Sequence, residues 1–325
     1  MESATKNKQT EQEILQMVQK AFGSGIVPEA VKINELTEGF FNVAYEIVLP
    51  DRSVILKIAP SQDAKVMSYE RNIMKAEVEA LRLVEANTSV PIPKVLFYDD
   101  SHTICKADYF FMDKIEGDSF FQLKNKGLIP YETQNRIYHD MGRYNHEMNQ
   151  IKGTSFGYLG LPEMQGSNWR EVFLTMIEEV LLDGERIEIS LGVSYDEARS
   201  LIRKASYTLE EVKEPAFVHW DLWDGNIFIK DGEISGIIDF ERALWADPLM
   251  EFNFRGHINI KDFYEGYGAN LKEAAPIRSL LYDMYLFLIM IIETKYRMYP
   301  DDWQYGFATK QLNRAMDELK KAQFV

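Results

Sequence analysis

Between Phe217 and Met250 the chain reads FVHWDLWDGNIFIKDGEISGIIDFERALWADPLM, and three oxygen-bearing side chains in this run are spaced so that folding gathers them. Asp231 and Gly232 are a two-residue hairpin signal, flanked by Ile227 to Lys230 on one side and Ile234 to Ile238 on the other. A hairpin about that turn carries Asn226 and Asp239 to its open end, with Asp221 five residues ahead of Asn226 in the entering loop. An amide and a carboxylate held together are hard oxygen ligands of the kind magnesium takes while it is also bound to nucleotide phosphates. The third group is then free to act as a base. Phosphoryl transfer asks a protein for metal to neutralise phosphate charge and for a carboxylate to orient the attacking hydroxyl, and little else. Each of the three alone would pass as a turn or cap residue; the set is harder to explain that way.

Positioning these groups against a nucleotide takes a second body ahead of the hairpin. After a helical lead over 11–22, Ala44 to Leu49 and Val54 to Ile58 flank the turn residues Pro50, Asp51, Arg52 and Ser53 and read as a β-hairpin. The spacing of Ile73, Val78, Leu81 and Val84 predicts a helix over 69–85, stopped near Asn87 and the Pro91, Pro93 pair. Val95 to Tyr98 and Tyr109 to Met112 read as strands that complete a small sheet. Alternation in the second strand sets Lys57 on one face between Ile55 and Ala59, where an ammonium is costly unless it meets an anion. Nucleotide phosphates would serve; a lone strand lysine would instead snorkel to solvent. Past Gly117 the patterns are helical over 131–149, 169–182, 195–212 and 278–297, with the hairpin between Asn226 and Asp239 as the exception. The expected fold class is therefore α+β. A small antiparallel-sheet lobe, 1–113, joins near 113–118 to a larger, mainly helical lobe, 114–325, with a ligand cleft between them.

His219, Asp221 and Asn226 fit H-x-D-x-x-x-x-N, and Asp239 follows in I-I-D-F-E, then Asp247 and Pro248. This pattern resembles the catalytic loop and metal-binding segment of the aminoglycoside phosphotransferase and choline kinase family, whose fold is protein-kinase-like. By the resemblance Asp221 is the catalytic base, Asn226 and Asp239 hold Mg2+, and His219 and Asp247 brace the loop. V-I-L-K-I resembles the strand whose lysine meets the nucleotide, and Glu77, in A-E-V-E-A-L-R, stands where the family puts that lysine's carboxylate partner, with Glu70 and Glu79 as rivals. Glu38 to Asn42, E-G-F-F-N, which includes Phe41 and Asn42, matches a reduced form of the loop that covers the phosphates. Phe110 to Gly117 resembles the hinge that holds the base, with Met112 lining the base pocket and Asp113 and Ile115 offering backbone hydrogen bonds. Glu241 replaces the glycine of the protein-kinase triplet, as is common in this branch, and Asn149 stands where many relatives have a helix-ending histidine, three residues from His146.

The resemblance, spanning about residue 35 to about 300, implies a small-molecule kinase that moves the terminal phosphate of ATP or GTP onto a substrate hydroxyl. Backbone contacts to the base leave too little sequence trace to separate the two donors. The alternatives are a metabolic kinase of the same fold for choline, homoserine or a sugar amine, a nucleotide-binding pseudokinase, or a nonenzymatic module that keeps only the fold. Loss of Lys57, Asp221, Asn226 or Asp239 would favour the last two, and all four are present. No A-P-E segment follows Asp239, and Asp247 comes too soon for the activation loop of a protein kinase.

Composition narrows the partners. Thirty-six Lys plus Arg against 51 Asp plus Glu give a formal charge of −15, which repels nucleic acid and anionic lipid. An acidic run (Glu178, Glu179, Asp183, Glu185, Glu188) and late aromatics (Tyr264, Tyr267, Tyr296, Tyr299, Trp303) are what a cationic acceptor would want, although a solvated helix face and core rings would look the same. Cys105, the single cysteine, implies a reducing compartment; His102, His139 and His257 show no ligand spacing. The polar N-terminus and the short apolar stretch Met284 to Ile292 lead us to expect no membrane segment and a cytoplasmic monomer or dimer.

Overall fold

The computed structural model describes residues 5–37, 41–255 and 261–322. Helix α1 (Glu11–Phe22) starts at a reciprocal cap, in which the Thr10 hydroxyl accepts from the Glu13 amide and the Glu13 carboxylate accepts from the Thr10 amide. Five antiparallel strands follow: β1 (Lys32–Leu36), β2 (Val43–Val48), β3 (Ser53–Ile58), β4 (Val95–Asp99) and β5 (Tyr109–Asp113), in the order β1-β2-β3-β5-β4. Strand alternation gives this sheet two apolar faces. Val54, Leu56 and Ile58 share one core with Ile14, Met17 and Val18 of α1. Ile55, Phe110 and Met112 share the other with Val78, Leu81 and Val84 of α2 (Ile73–Asn87), which runs between β3 and β4. Lys57 lies on this second face, paired across the sheet with Ala44 and Phe110.

Beyond β5 the chain forms β6 (Asp118–Ser119), α3 (Phe120–Asn125), α4 (Tyr131–Asn149), β7 (Gly157–Tyr158), α5 (Trp169–Arg186), α6 (Tyr195–Ala205) and β8 (Ala216–Val218). Then come the hairpin strands β9 (Ile227–Lys230) and β10 (Glu233–Ile237), β11 (Leu244–Ala246), α7 (Lys261–Tyr267), α8 (Leu271–Ala274), α9 (Pro276–Tyr296) and α10 (Trp303–Lys321). The result is the expected two-lobed α+β fold. Helix α9 is its pillar: nearly every residue from Leu281 to Ile292 is buried. Among the described residues no helix is long and apolar enough to cross a membrane.

Two sequence expectations need correcting. The hairpin is not the only β-structure of the larger lobe, because β6 extends it to three strands and β7-β11-β8 form another three-stranded sheet. These strands are two or three residues long, and β8 is buried throughout, so no alternation betrays them. The helix expected over 195–212 stops at Ala205 and tightens into a 3-10 turn over Ser206–Glu211.

Candidate active site

Asp231 and Gly232 both take positive φ, 53° and 82°, as a tight primed turn requires. The turn sets Lys230 against Glu233 and Ile227 against Ile237. At the open end the Ile238 amide donates to the Asn226 carbonyl at 3.0 Å, which brings the segment entering Asp239 beside the one leaving Asp221. The Asn226 side-chain nitrogen donates to the Asp221 carbonyl at 2.9 Å, so Oδ1 is the atom it can offer to a ligand. Asp239 sits at φ 71°, ψ 55°, a left-handed conformation that a non-glycine residue holds only when its surroundings enforce it.

That conformation aims the Asp239 carboxylate at Lys57. Lys57 Nζ lies 2.7 Å from Asp239 Oδ1 and 2.6 Å from Glu77 Oε1, with Lys57 and Glu77 both buried. Of the three carboxylates that competed for this lysine in the sequence, Glu77 reaches it. Glu70 pairs with Arg297 at 2.6 Å, and Glu79 is an exposed residue 3.9 Å from Lys75. A third acid, Glu241, accepts from Asn42 Nδ2 at 2.7 Å. Oxygens of Glu77, Asp239 and Glu241 lie within 4.8 Å of one another, so two hard-oxygen sets share Asp239: these three carboxylates, and Asn226 with Asp239. Burial alone would drive protons onto all three acids. It leaves Glu77 pushed up to about 6 despite Lys57, and Glu241, with Asp239 beside it, well above the carboxylate range. For Asp239 burial loses to the charge and hydrogen bond of Lys57, which hold it below its ordinary value.

His219 Nδ1 accepts from the Asp221 amide at 3.1 Å, so Nε2 carries the proton and donates to the Ile238 carbonyl at 3.0 Å. The imidazole thus ties the loop that carries Asp221 to the segment that carries Asp239. Glu251 takes the loop's other amides, Trp220 at 2.9 Å and Leu222 at 3.3 Å. Asp247, expected to brace this loop, instead accepts from the Leu249 amide and from Tyr282 and Arg278 at 3.1, 2.8 and 2.7 Å, which roots the following segment in α9. Asn149, at the place of that histidine, has both ends of its amide engaged. It donates to the Phe217 carbonyl at 2.7 Å and accepts from Tyr267 at 3.0 Å, fixing β8 beneath the loop.

Residues that the sequence reading passed over close the surroundings of Asp221. The buried Arg242 guanidinium lies 5.6 Å from the Tyr69 ring and 6.0 Å from that of Trp220, and pairs with Glu293 at 3.2 Å. Arg297 links Glu293 to Glu70. The signal for this network was two adjacent charges, Glu241 and Arg242, in an otherwise apolar run. Burial pushes Asp221 up to about 7; Arg242 opposes that rise, and Asp239, Glu293 and Glu251 add to it. A carboxylate so poised has the proton affinity that general-base chemistry near neutrality calls for.

Residues 38–40 of the expected phosphate-covering loop and His257 lie outside the described residues. Phe41 is buried with the Arg297 guanidinium 5.3 Å from its ring, so with Asn42 it joins the segment before β2 to the larger lobe. Met112 is buried on the α2 side of the sheet. The Asp113 amide is already engaged with the Lys94 carbonyl at 3.0 Å, so only the Asp113 carbonyl could serve a base; Ile115 packs over Gly236. The acidic run does not gather into this site. Glu178 and Glu185 flank Arg199 at 2.8 and 2.7 Å, and Glu178, Glu179 and Arg199 line a groove of about 340 Å³ between α5 and α6 that includes no residue of the constellation.

Residues 32–275 match the family described as the phosphotransferase enzyme family. The chain belongs to that family. It is accordingly an enzyme that transfers phosphate to a hydroxyl of a small molecule. Over 42 residues it is 48% identical to an aminoglycoside 3'-phosphotransferase of Enterococcus faecalis, a match that spans 13% of this chain and 16% of that protein. Solved phosphotransferases share the fold over nearly their whole length. Aminoglycoside phosphotransferase APH(4)-Ia, in a complex with ADP and hygromycin B, superposes with TM-score 0.66 at 16% identity, covering 97% of this chain and 100% of that one. A protein described as a candidate fructosamine-3-kinase from Haemophilus somnus 129PT gives TM-score 0.66 at 19% identity, covering 94% and 97%. A streptomycin and ATP complex of APH(2")-IIa gives 0.59 at 18%, covering 97% and 98%.

Proposed function

We propose that this phosphotransferase is a small-molecule kinase that takes the terminal phosphate of ATP or GTP, with the nucleotide gripped by residues 1–113 and the acceptor by residues 114–325. The observation that carries the reading is the convergence of Lys57, Glu77 and Asp239 beside the loop that presents Asp221. In this reading Lys57 exchanges an acidic partner for nucleotide phosphate, while Phe41, Asn42, Met112 and the Asp113 and Ile115 backbone border the nucleotide. Asn226 and Asp239, with Glu241 within reach, are the residues that would hold Mg2+, which when bound neutralises charge on the phosphates. Asp221 takes the proton of the acceptor hydroxyl as its oxygen bonds to the terminal phosphorus, and the bond to the bridging oxygen breaks to release the nucleoside diphosphate. His219 and Glu251 hold the loop while this happens. The presence of ADP and ATP in the complexes of structurally similar phosphotransferases supports a nucleotide donor. The acidic run on α5 lies away from the constellation and lends no support to a cationic acceptor.

The test is a coupled nucleotide-turnover screen with magnesium and each of ATP and GTP, run across aminoglycosides, macrolides, choline, homoserine and sugar amines, with Asp221→Asn as the blank. Turnover on one acceptor class, lost in the variant, is the expected result. Turnover that survives the substitution would remove Asp221 from its role.

A further inference from the structure

Trp223 and Phe121 are large rings left 40% and 45% exposed, side by side at the edge of the catalytic loop. Their centroids are 5.4 Å apart and their planes meet at 59°. Trp223 is not a loose surface residue. Its amide donates to the Asp221 carbonyl and its carbonyl accepts from the Asn226 amide, each at 3.0 Å, so its backbone is the link between the base and the metal-binding amide. Its indole lies directly on Gly225, where any Cβ would fall 2.2 Å from a ring carbon, so the glycine is what lets the ring lie flat on the loop. The neighbouring Asp224 is fixed in turn by Lys124 at 2.6 Å and Tyr138 at 2.8 Å. Water-exposed aromatic surface held this firmly beside reacting groups marks a contact surface for a ligand.

The charges nearby say which kind. A quaternary or primary ammonium would seek rings backed by a carboxylate without a partner. Of the loop's two acids, Asp221 is engaged with the acceptor hydroxyl in the kinase reading and Asp224 is neutralised, by an ammonium that sits on α3 with Phe121, 5.2 Å from the Phe120 ring. Two tilted rings open to one side also form a shelf, not a cage. Resting on the kinase reading above, we propose that Trp223 and Phe121 are specificity-determining residues that seat the apolar C–H face of a saturated ring, such as a pyranose, so that a ring hydroxyl is presented to Asp221. The pair selects acceptors by ring shape, independently of their charge.

The test is equilibrium binding, so its failure is distinct from the failure of phosphate transfer read by Asp221→Asn. With Mg-ADP saturating, titration calorimetry would compare kanamycin A and glucosamine with choline and homoserine as non-ring controls. The Trp223→Ala variant is expected to weaken the ring probes about tenfold. Trp223→Phe should restore most of that affinity and Phe121→Ala should fall between, with saturation-transfer NMR placing the protein contact on the ring C–H protons. The proposal is overturned if neither ring probe binds the wild type, if their affinity survives Trp223→Ala, if choline is the probe that the substitution releases, or if Mg-ADP affinity falls instead.

Discussion

Two regions of this molecule are crowded with acidic residues, and only one of them is built for chemistry. On α5 the carboxylates stand close in sequence and look like a binding surface, yet Arg199 and Arg186 flank them at the protein surface. Around Lys57 the acids come from two segments far apart in the chain, α2 and the turn after β10, and are largely buried; Glu77 and Asp239 share the Lys57 ammonium, and Glu241 beside them accepts from Asn42. Exposed pairs of the first kind contribute little, because water screens them. In the second region Lys57 holds Asp239 below its ordinary value, while burial leaves Glu77 and Glu241 above theirs. Density along the chain thus says little; convergence from distant segments into a dry place says much.

Substitutions sharpen this contrast. The largest effect is expected from Asp221→Asn, which should lower the rate of transfer by about 10²–10⁴-fold while the nucleotide dissociation constant, read by calorimetry, hardly moves. Lys57→Met leaves Glu77, Asp239 and Glu241 facing one another, and should cost about 3–5 kcal/mol of stability in urea unfolding, part of it regained as pH falls and the acids protonate. The pH–rate profile should show an acid limb near 7, because transfer needs Asp221 ionised and its pKa is raised to about 7. Arg242→Gln removes the positive charge that opposes this rise, so the limb should move to higher pH; a limb that stays put would separate Arg242 from the base. At the small end, Arg199→Ala on α6, which frees the α5 carboxylates, should lose at most about 1 kcal/mol and leave the kinetic constants unchanged. A large loss there would erase the distinction between the two regions.

The sequence disclosed what depends on neighbours and periods. The long helices α1 and α4 and the hairpin that gathers Asn226 and Asp239 follow from apolar spacing and a two-residue turn, and the Lys57 strand follows from alternation. The supports of the site were not legible in the same way. Arg297 meets Glu70 across 227 residues and Arg242 meets Glu293 across 51, and no local pattern announces such pairings. Glu251, three residues past Pro248 and set between Met250 and Phe252, reads as an ordinary acidic residue until the fold carries it to the amides of Trp220 and Leu222. Trp220 itself adopts φ 57°, a backbone state that nothing in its type foretells and that the surrounding contacts impose.

The connection from β3 to α2 is fastened to the larger lobe at three points. Ser68 is bound to Asp183 at 2.7 and 2.8 Å, Glu70 is buried against Arg297, and the Asn72 side chain donates to the Gly160 carbonyl at 3.1 Å. A helix moored in this way by its leading end has no free travel of its own. The Lys57–Glu77 pair thus stands on a frame to which both lobes contribute.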